Sequence, residues 1–236
     1  MKFTKIKIKI SIIIIIFLNK YVYIKSIEYN TSKKKIGIIG LSHSQNIGNN
    51  LLKFAIYIKL SELGYSPYLV GKVYPKDDIS FLKNNTKIRL INDFSEIKKN
   101  EFDILMVNSD QTWNALFPRP IIYDIAFLKF AKNWKIKKFI YGASLVHDEW
   151  KFTKEDEKIA KNLLRKFTGI SVREKSSVNL IQQHLSLKAQ FVLDPTFIID
   201  KKYYLNLIKN YKSYIMEKIN NRIFIFAYII IVLMCG

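Results

Sequence analysis

The feature that most constrains this chain is a series of short apolar runs, β-branched or aromatic, separated by stretches of helical periodicity and each ending on a polar motif. Residues 104–107 lead into Ser109-Asp110-Gln111-Thr112-Trp113-Asn114, and residues 139–140 into Tyr141-Gly142-Ala143-Ser144. Residues 169–172 carry Ser171-Val172-Arg173-Glu174-Lys175-Ser176, and residues 191–193 end in Leu193-Asp194-Pro195-Thr196. Runs this short, alternating with helices, predict buried parallel strands. In an open α/β sheet, chemistry gathers in the crevice beyond the carboxyl ends of the strands. All four motifs are expected there.

The rest of the chain extends the pattern. Residues 36–39 predict a first buried strand, followed by a polar loop over 41–49. From Asn50 the apolar positions Leu51, Leu52, Ala55, Ile56, Leu60 and Leu63 follow helical spacing, and Gly64 ends the run. Residues 68–70 predict a second strand, giving a βαβ unit whose crossover should be right-handed. Short helices are expected at 78–83 and 95–98, around a weak strand at 88–91. Further strands are expected at 125–130, 138–140 and 189–193. Thr153 precedes a charged helix to Phe167, with Asp156 at the third helical position of a cap. Helices follow at 176–185 and 201–208. The expectation is one α/β domain over residues 35–210, Rossmann-like, with a mainly parallel sheet and helices on both faces.

Both ends carry apolar segments outside that domain. Residues 1–34 form a basic and apolar leader with a linker: Lys2, Lys5, Lys7 and Lys9 precede an apolar stretch over 10–18. That layout resembles a signal peptide or a weak anchor. The stretch is far shorter than the roughly 20 apolar residues that span a bilayer. Signal, anchor and disordered leader all stay open, and the expected location is cytoplasmic, with membrane-surface association through this segment. Residues 211–236 contain a second apolar run, 223–235, read as the start of a truncated second domain or as an apolar tail.

The formal net charge is +20, which favours anionic partners. Yet the 39 basic residues include only five arginines, Arg89, Arg119, Arg165, Arg173 and Arg222. The lysines are scattered, without the concentrated, aromatic-interleaved stripe of a nucleic-acid binder, so no specific nucleic acid is expected. Cys235 is the only cysteine, which excludes an intrachain disulfide and a Cys-rich zinc site.

Taken in order, the motifs resemble those of the polysaccharide pyruvyl transferases. That family carries Gly-Ser-Asp-Gln-x-Trp-Asn, Tyr-Ala-x-Ser, Ser-x-Arg-Glu-x-Ser and Asp-Pro-Thr. Here Asn108 stands in place of the Gly before Ser109, and Gly142 in place of Ala. Asn46-Ile47-Gly48 is similar to the family's first loop, and the resemblance covers residues 35–207. It implies the N-terminal half of a GT-B-like two-domain architecture. It also implies transfer of a pyruvyl group from phosphoenolpyruvate to a glycan or lipid-linked sugar as a ketal, with no cofactor and no metal. The family's donor site pairs an N-terminal arginine, here Arg173, with an Arg and a His from a C-terminal domain. On that expectation the isolated chain binds phosphoenolpyruvate weakly and turns it over negligibly. A GT-B-type glycosyltransferase and a non-catalytic, membrane-associated fragment are the alternatives.

Ketal formation needs cationic forks for a carboxylate and a phosphate, with a general acid and base near the reacting carbon. The candidate catalytic residues are Asp110 and Arg173. Arginine's planar fork suits either anion; the alternative is that Arg173 forms a structural ion pair with Glu174 at a helix start. Asp110 can serve as a base, orient a hydroxyl, or cap a turn. The candidate substrate-binding residues are Asn46, Gly48, Ser109, Gln111, Ser144 and Arg173; Asn46 and Gly48 flank a helix start whose N–H groups can hold an anion. Trp113 is read as packing, His43 as a modest candidate acid, and His184 as a helix-surface residue. His147-Asp148-Glu149 is read as a solvated loop, and Asp194 as a structural turn residue before Pro195.

Overall fold

The computed structural model describes residues 11–18, 21–28, 32–40, 47–73, 79–108 and 110–208. Strands β1 (Ser11–Leu18) and β2 (Tyr21–Glu28) pair antiparallel, so residues 11–18 of the leader's apolar stretch are extended backbone. Seven further strands form a second sheet. They are β3 (Lys35–Ile39), β4 (Ser66–Gly71), β5 (Ile88–Leu90), β6 (Ile104–Val107), β7 (Lys137–Ala143), β8 (Gly169–Val172) and β9 (Gln190–Phe191). All their pairings are parallel. The helices are α1 (Ile47–Glu62), α2 (Ser80–Asn85), α3 (Arg119–Ile121), α4 (Lys154–Leu164), α5 (Lys175–Leu185) and α6 (Lys201–Ile208).

The strand order is β5-β4-β3-β6-β7-β8-β9. The chain winds outward from β3, returns to β6 and winds outward the other way, which is Rossmann-like. Such a sheet opens a crevice where the winding reverses, here between the carboxyl ends of β3 and β6.

Successive strand residues point to opposite faces, and this sheet buries both. Ile36 and Ile38 of β3 join Ile56 and Leu60 of α1 in one core. Ile39, Leu105 and Val107 face the other way, into a larger core with Ala160, Leu163 and Leu164 of α4 and Ile181 and Leu185 of α5. Double burial is why these strands read as unbroken apolar runs. Gly37 keeps β3 close to its neighbours: a Cβ there would lie 2.9 Å from the Phe102 ring and 3.1 Å from Leu105.

The cap expected at Thr153 forms. Its Oγ1 accepts the Asp156 amide at 3.2 Å, and Asp156 Oδ2 accepts the Thr153 amide at 3.0 Å. Residues 125–130, expected as a strand, are not one. The chain there runs from α3 through a π-helical turn, Ile122–Ala126, into a single 3₁₀ turn, Lys129–Ala131. Pro118 and Pro120 prepare a helical start. Ile122, Ala126, Phe127 and Leu128 are all buried, and an apolar run without alternation does not distinguish strand from helix. The helix expected at 95–98 is a 3₁₀ turn, Phe94–Glu96, boxed by Asp93. β9 holds only two of the five residues expected at 189–193. The apolar run 223–235 lies outside the described residues. Among the described residues no helix is long and apolar enough to cross a membrane.

Candidate functional site

Backbone bonds continue the sheet beyond the carboxyl ends of β6, β7 and β8. The Asp110 carbonyl accepts the amides of Ser144 at 2.9 Å and Thr112 at 2.7 Å, and the Ser144 carbonyl accepts the Trp113 amide at 3.3 Å. The Arg173 amide donates to the Ala143 carbonyl at 3.0 Å. Asp110 forms a parallel bridge with Ala143 at a φ of +129°, a value that L-residues rarely adopt. Strain of this kind costs on the order of 1–3 kcal/mol and persists only where the surroundings enforce it.

These bonds bring Asp110, Ser144 and Arg173 together at one edge of the sheet. Arg173, the first residue after β8, sends Nη1 to Asp194 Oδ2 at 2.6 Å, while its Nη2 lies 3.9 Å from Asp110 Oδ1. The pairing with Glu174 weighed from sequence gives way to these two aspartates, and Glu174 instead accepts from the Ser177 hydroxyl at 3.2 Å. Asp194 uses its other oxygen on the turn that follows, where Oδ1 accepts the Thr196 amide at 3.0 Å and hydroxyl at 2.7 Å. Burial pushes the Asp194 carboxyl up, but the Thr196 hydroxyl and amide and the Arg173 guanidinium outweigh it and hold the group below the usual range. The arrangement is a fixed cation between two carboxylates. Its fork can take a carboxylate or phosphate, and Asp110 can orient or deprotonate a hydroxyl.

Against this geometry, the sequence model of the polysaccharide pyruvyl transferase family matches residues 46–233. The chain belongs to that family. No curated protein matches it by sequence.

The other residues singled out in this pyruvyl transferase family member fall as follows. Ser144 is buried, and its Oγ accepts the Val146 amide at 3.1 Å. Gln111 is exposed and accepts from Asn114 Nδ2 at 3.4 Å. Gly48 sits in the first turn of α1. Asn46, Ser109 and His43 lie outside the described residues. Trp113 packs edge-on against Phe127, with ring centroids 5.5 Å apart. Glu149, in the loop after β7, pairs with Lys151. His184 is more than a surface residue: it stacks on Trp150 at 4.6 Å and holds Glu157 Oε1 at 2.9 Å, linking α5 to α4.

Sequence reasoning gave no site role to several polar groups near the carboxyl edge of the sheet. Asn108 lies beside Gly40, with its Cβ 3.7 Å from where a Gly40 Cβ would stand, and its amide donates to Ile39 at 3.2 Å. It is 3% exposed, and its Oδ1 has no hydrogen-bond partner among the described residues. Asn50 and Lys53 are buried in the first turns of α1. Lys53 shares a helix stripe with Ile56 and Leu60, so a lysine inside an apolar stripe was the available signal. Asp194 was visible as a turn residue, but its partner is 21 positions away.

Proposed function

We propose that this chain transfers a pyruvyl group from phosphoenolpyruvate to two hydroxyls of a glycan or lipid-linked sugar, forming a ketal and releasing phosphate. In the balanced reaction the donor's methylene becomes a methyl by gaining one proton. Two sugar oxygens bond to the central carbon as its bond to the phosphate oxygen breaks. Of the two hydroxyl protons displaced, one is accounted for by the new methyl and the other by the released phosphate.

In this reading Arg173 binds the donor's carboxylate or phosphate, and Asp110 takes a proton from an attacking hydroxyl. Asn46, Gly48, Ser109, Gln111 and Ser144 contact substrate. The observation that carries the reading is the Arg173 guanidinium at the carboxyl edge of the sheet, anchored at Nη1 and 3.9 Å from Asp110 at Nη2. At that separation Asp110 is an electrostatic neighbour rather than a hydrogen-bond partner.

Calorimetric titration with phosphoenolpyruvate tests it, on the chain as it stands and on Arg173→Ala. Saturable binding to the former should weaken about 10–100-fold in the variant, since hydrogen bonds to charged groups contribute about 1.5–3 kcal/mol. Equal affinity in both proteins, or binding of a sugar nucleotide in place of phosphoenolpyruvate, overturns the reading.

A further inference from the structure

We infer that Asp194 is a positioning residue whose task is to aim Arg173, and that Thr196 fixes Asp194 for it. The inference rests on the donor reading above only for what the arginine then binds. The two oxygens of Asp194 are divided between two jobs. Oδ1 caps the short turn Pro195–Phe197 through the Thr196 amide and hydroxyl, at 3.0 and 2.7 Å. A cap needs a single acceptor oxygen, which asparagine supplies equally well. Oδ2 is left over, and it is this oxygen that meets Arg173 Nη1 at 2.6 Å.

The turn carrying Asp194 is itself anchored from three sides. The Val192 amide donates to the Val172 carbonyl at 3.0 Å, extending the β8–β9 ladder until residue 194 stands beside residue 173. From β7, the Tyr141 hydroxyl donates to the Leu193 carbonyl at 3.3 Å, and from α6 the Tyr204 hydroxyl donates to the Thr196 carbonyl at 2.7 Å. A side chain held by a sequence of such contacts has little rotamer freedom left to lose when a ligand arrives, which is what preorganises a binding site. Arg173 therefore meets its anion with one end of its fork already immobilised.

Asp194→Asn separates the two jobs, since it keeps the cap and removes the charge facing Arg173. Side-chain ¹⁵N NMR of Arg173, assigned by its disappearance in Arg173→Lys, reads rotation about the Nε–Cζ bond with no ligand present. That rotation should be hindered in the natural chain and freed in Asp194→Asn, with thermal stability lowered by no more than the loss of that one ion pair. Phosphoenolpyruvate affinity should drop about tenfold in the same variant. Thr196→Val, which removes only the hydroxyl bond, should fall between the two, and it carries the test if Asp194→Asn does not fold. A guanidinium as hindered in the variant as in the natural chain, or affinity within twofold, overturns the positioning role. If the variant frees Arg173 but the natural chain binds no phosphoenolpyruvate, the donor reading falls and the positioning role stands.

Discussion

Gly142 donates its amide to the side-chain oxygen of Ser171 at 3.1 Å, where a backbone bond between β7 and β8 would otherwise run. The Ser171 hydroxyl in turn donates to the Ile140 carbonyl at 3.0 Å. Together they close a bulge between Ile140 and Ala143, with Gly142 at a φ of +60°. Beyond the bulge, Ala143 rejoins the ladder opposite Val172, which allows its carbonyl to receive the Arg173 amide and places Ser144 against Asp110. One serine hydroxyl thus sets the register of both candidate catalytic residues.

Ser171→Ala should therefore destabilise the fold by about 1–3 kcal/mol, because a buried N–H and a buried carbonyl lose their partner together. Ser171→Thr, which keeps the hydroxyl, should recover most of that loss. Thermal denaturation of the two variants checks this; an alanine variant as stable as the natural chain would show that the bulge holds without the bridge.

How much of this was legible in the sequence depended on burial. β3, β6 and β8 announced themselves because both faces of the sheet are covered, which leaves short unbroken runs such as residues 36–39 and 104–107. The Thr153 cap was legible because its two partners are three positions apart. The segment around Ile122–Ala126 was not, since its apolar run, almost unbroken from Ile121 to Leu128, shows no alternation that separates a strand from a helix. Near the site, local motifs located Asp110, Ser144 and Arg173 at strand ends. The contact that orients Arg173 spans 21 positions and exists only because β9 pairs beside β8, so no local pattern encodes it.

A second prediction concerns pH and the network joining α3 to α4. Asp156 Oδ1 accepts from the Tyr123 hydroxyl at 2.6 Å and from Arg119 Nε at 2.9 Å, beside the Thr153 cap. Burial pushes the Asp156 carboxyl up, but Tyr123, Thr153 and Arg119 together bring it below its ordinary value of 3.8. A depressed carboxyl contributes stability above its unfolded value and loses it as pH falls through the folded one. Tyr123 moves the other way: burial, then its bond to Asp156, raises it from 10.0 to about 12. Its contribution is full below pH 10 and is lost as pH rises through about 12. Asp156→Asn should flatten the acid limb of the stability curve and lower the Tyr123 midpoint, read by ultraviolet titration. An unmoved tyrosine midpoint would show that burial alone sets it.

Asn108 supplies a third. Its carboxamide oxygen is buried with no partner among the described residues, a condition that costs about 1–3 kcal/mol. Asn108→Ala removes that oxygen at the expense of a small void beside Gly40. We expect the variant to be as stable as the natural chain or more stable by about 1 kcal/mol, measured by urea unfolding. A loss of 2 kcal/mol or more, on the order of a well-bonded buried amide, would contradict the unpaired oxygen.

The last prediction sets stability against function at Asp110. At a φ of +129° its backbone lies where glycine is comfortable and other residues are not. Asp110→Gly relieves strain of about 1–3 kcal/mol, of which roughly 0.5–1 kcal/mol is offset by glycine's greater freedom in the unfolded chain. The lost carboxylate sits 3.9 Å from Arg173 and is partly exposed, so its pairing contributes less than about 1 kcal/mol. The glycine variant should therefore match or exceed the natural chain in thermal stability. Asp110→Ala, which loses the carboxylate but keeps the strain, should be the less stable of the two. Both should lower phosphate release from phosphoenolpyruvate in the presence of methyl hexopyranosides by about 100-fold or more, the usual contribution of a general base. Retained turnover in both variants would remove Asp110 from the chemistry, and an alanine variant more stable than the glycine one would remove the strain.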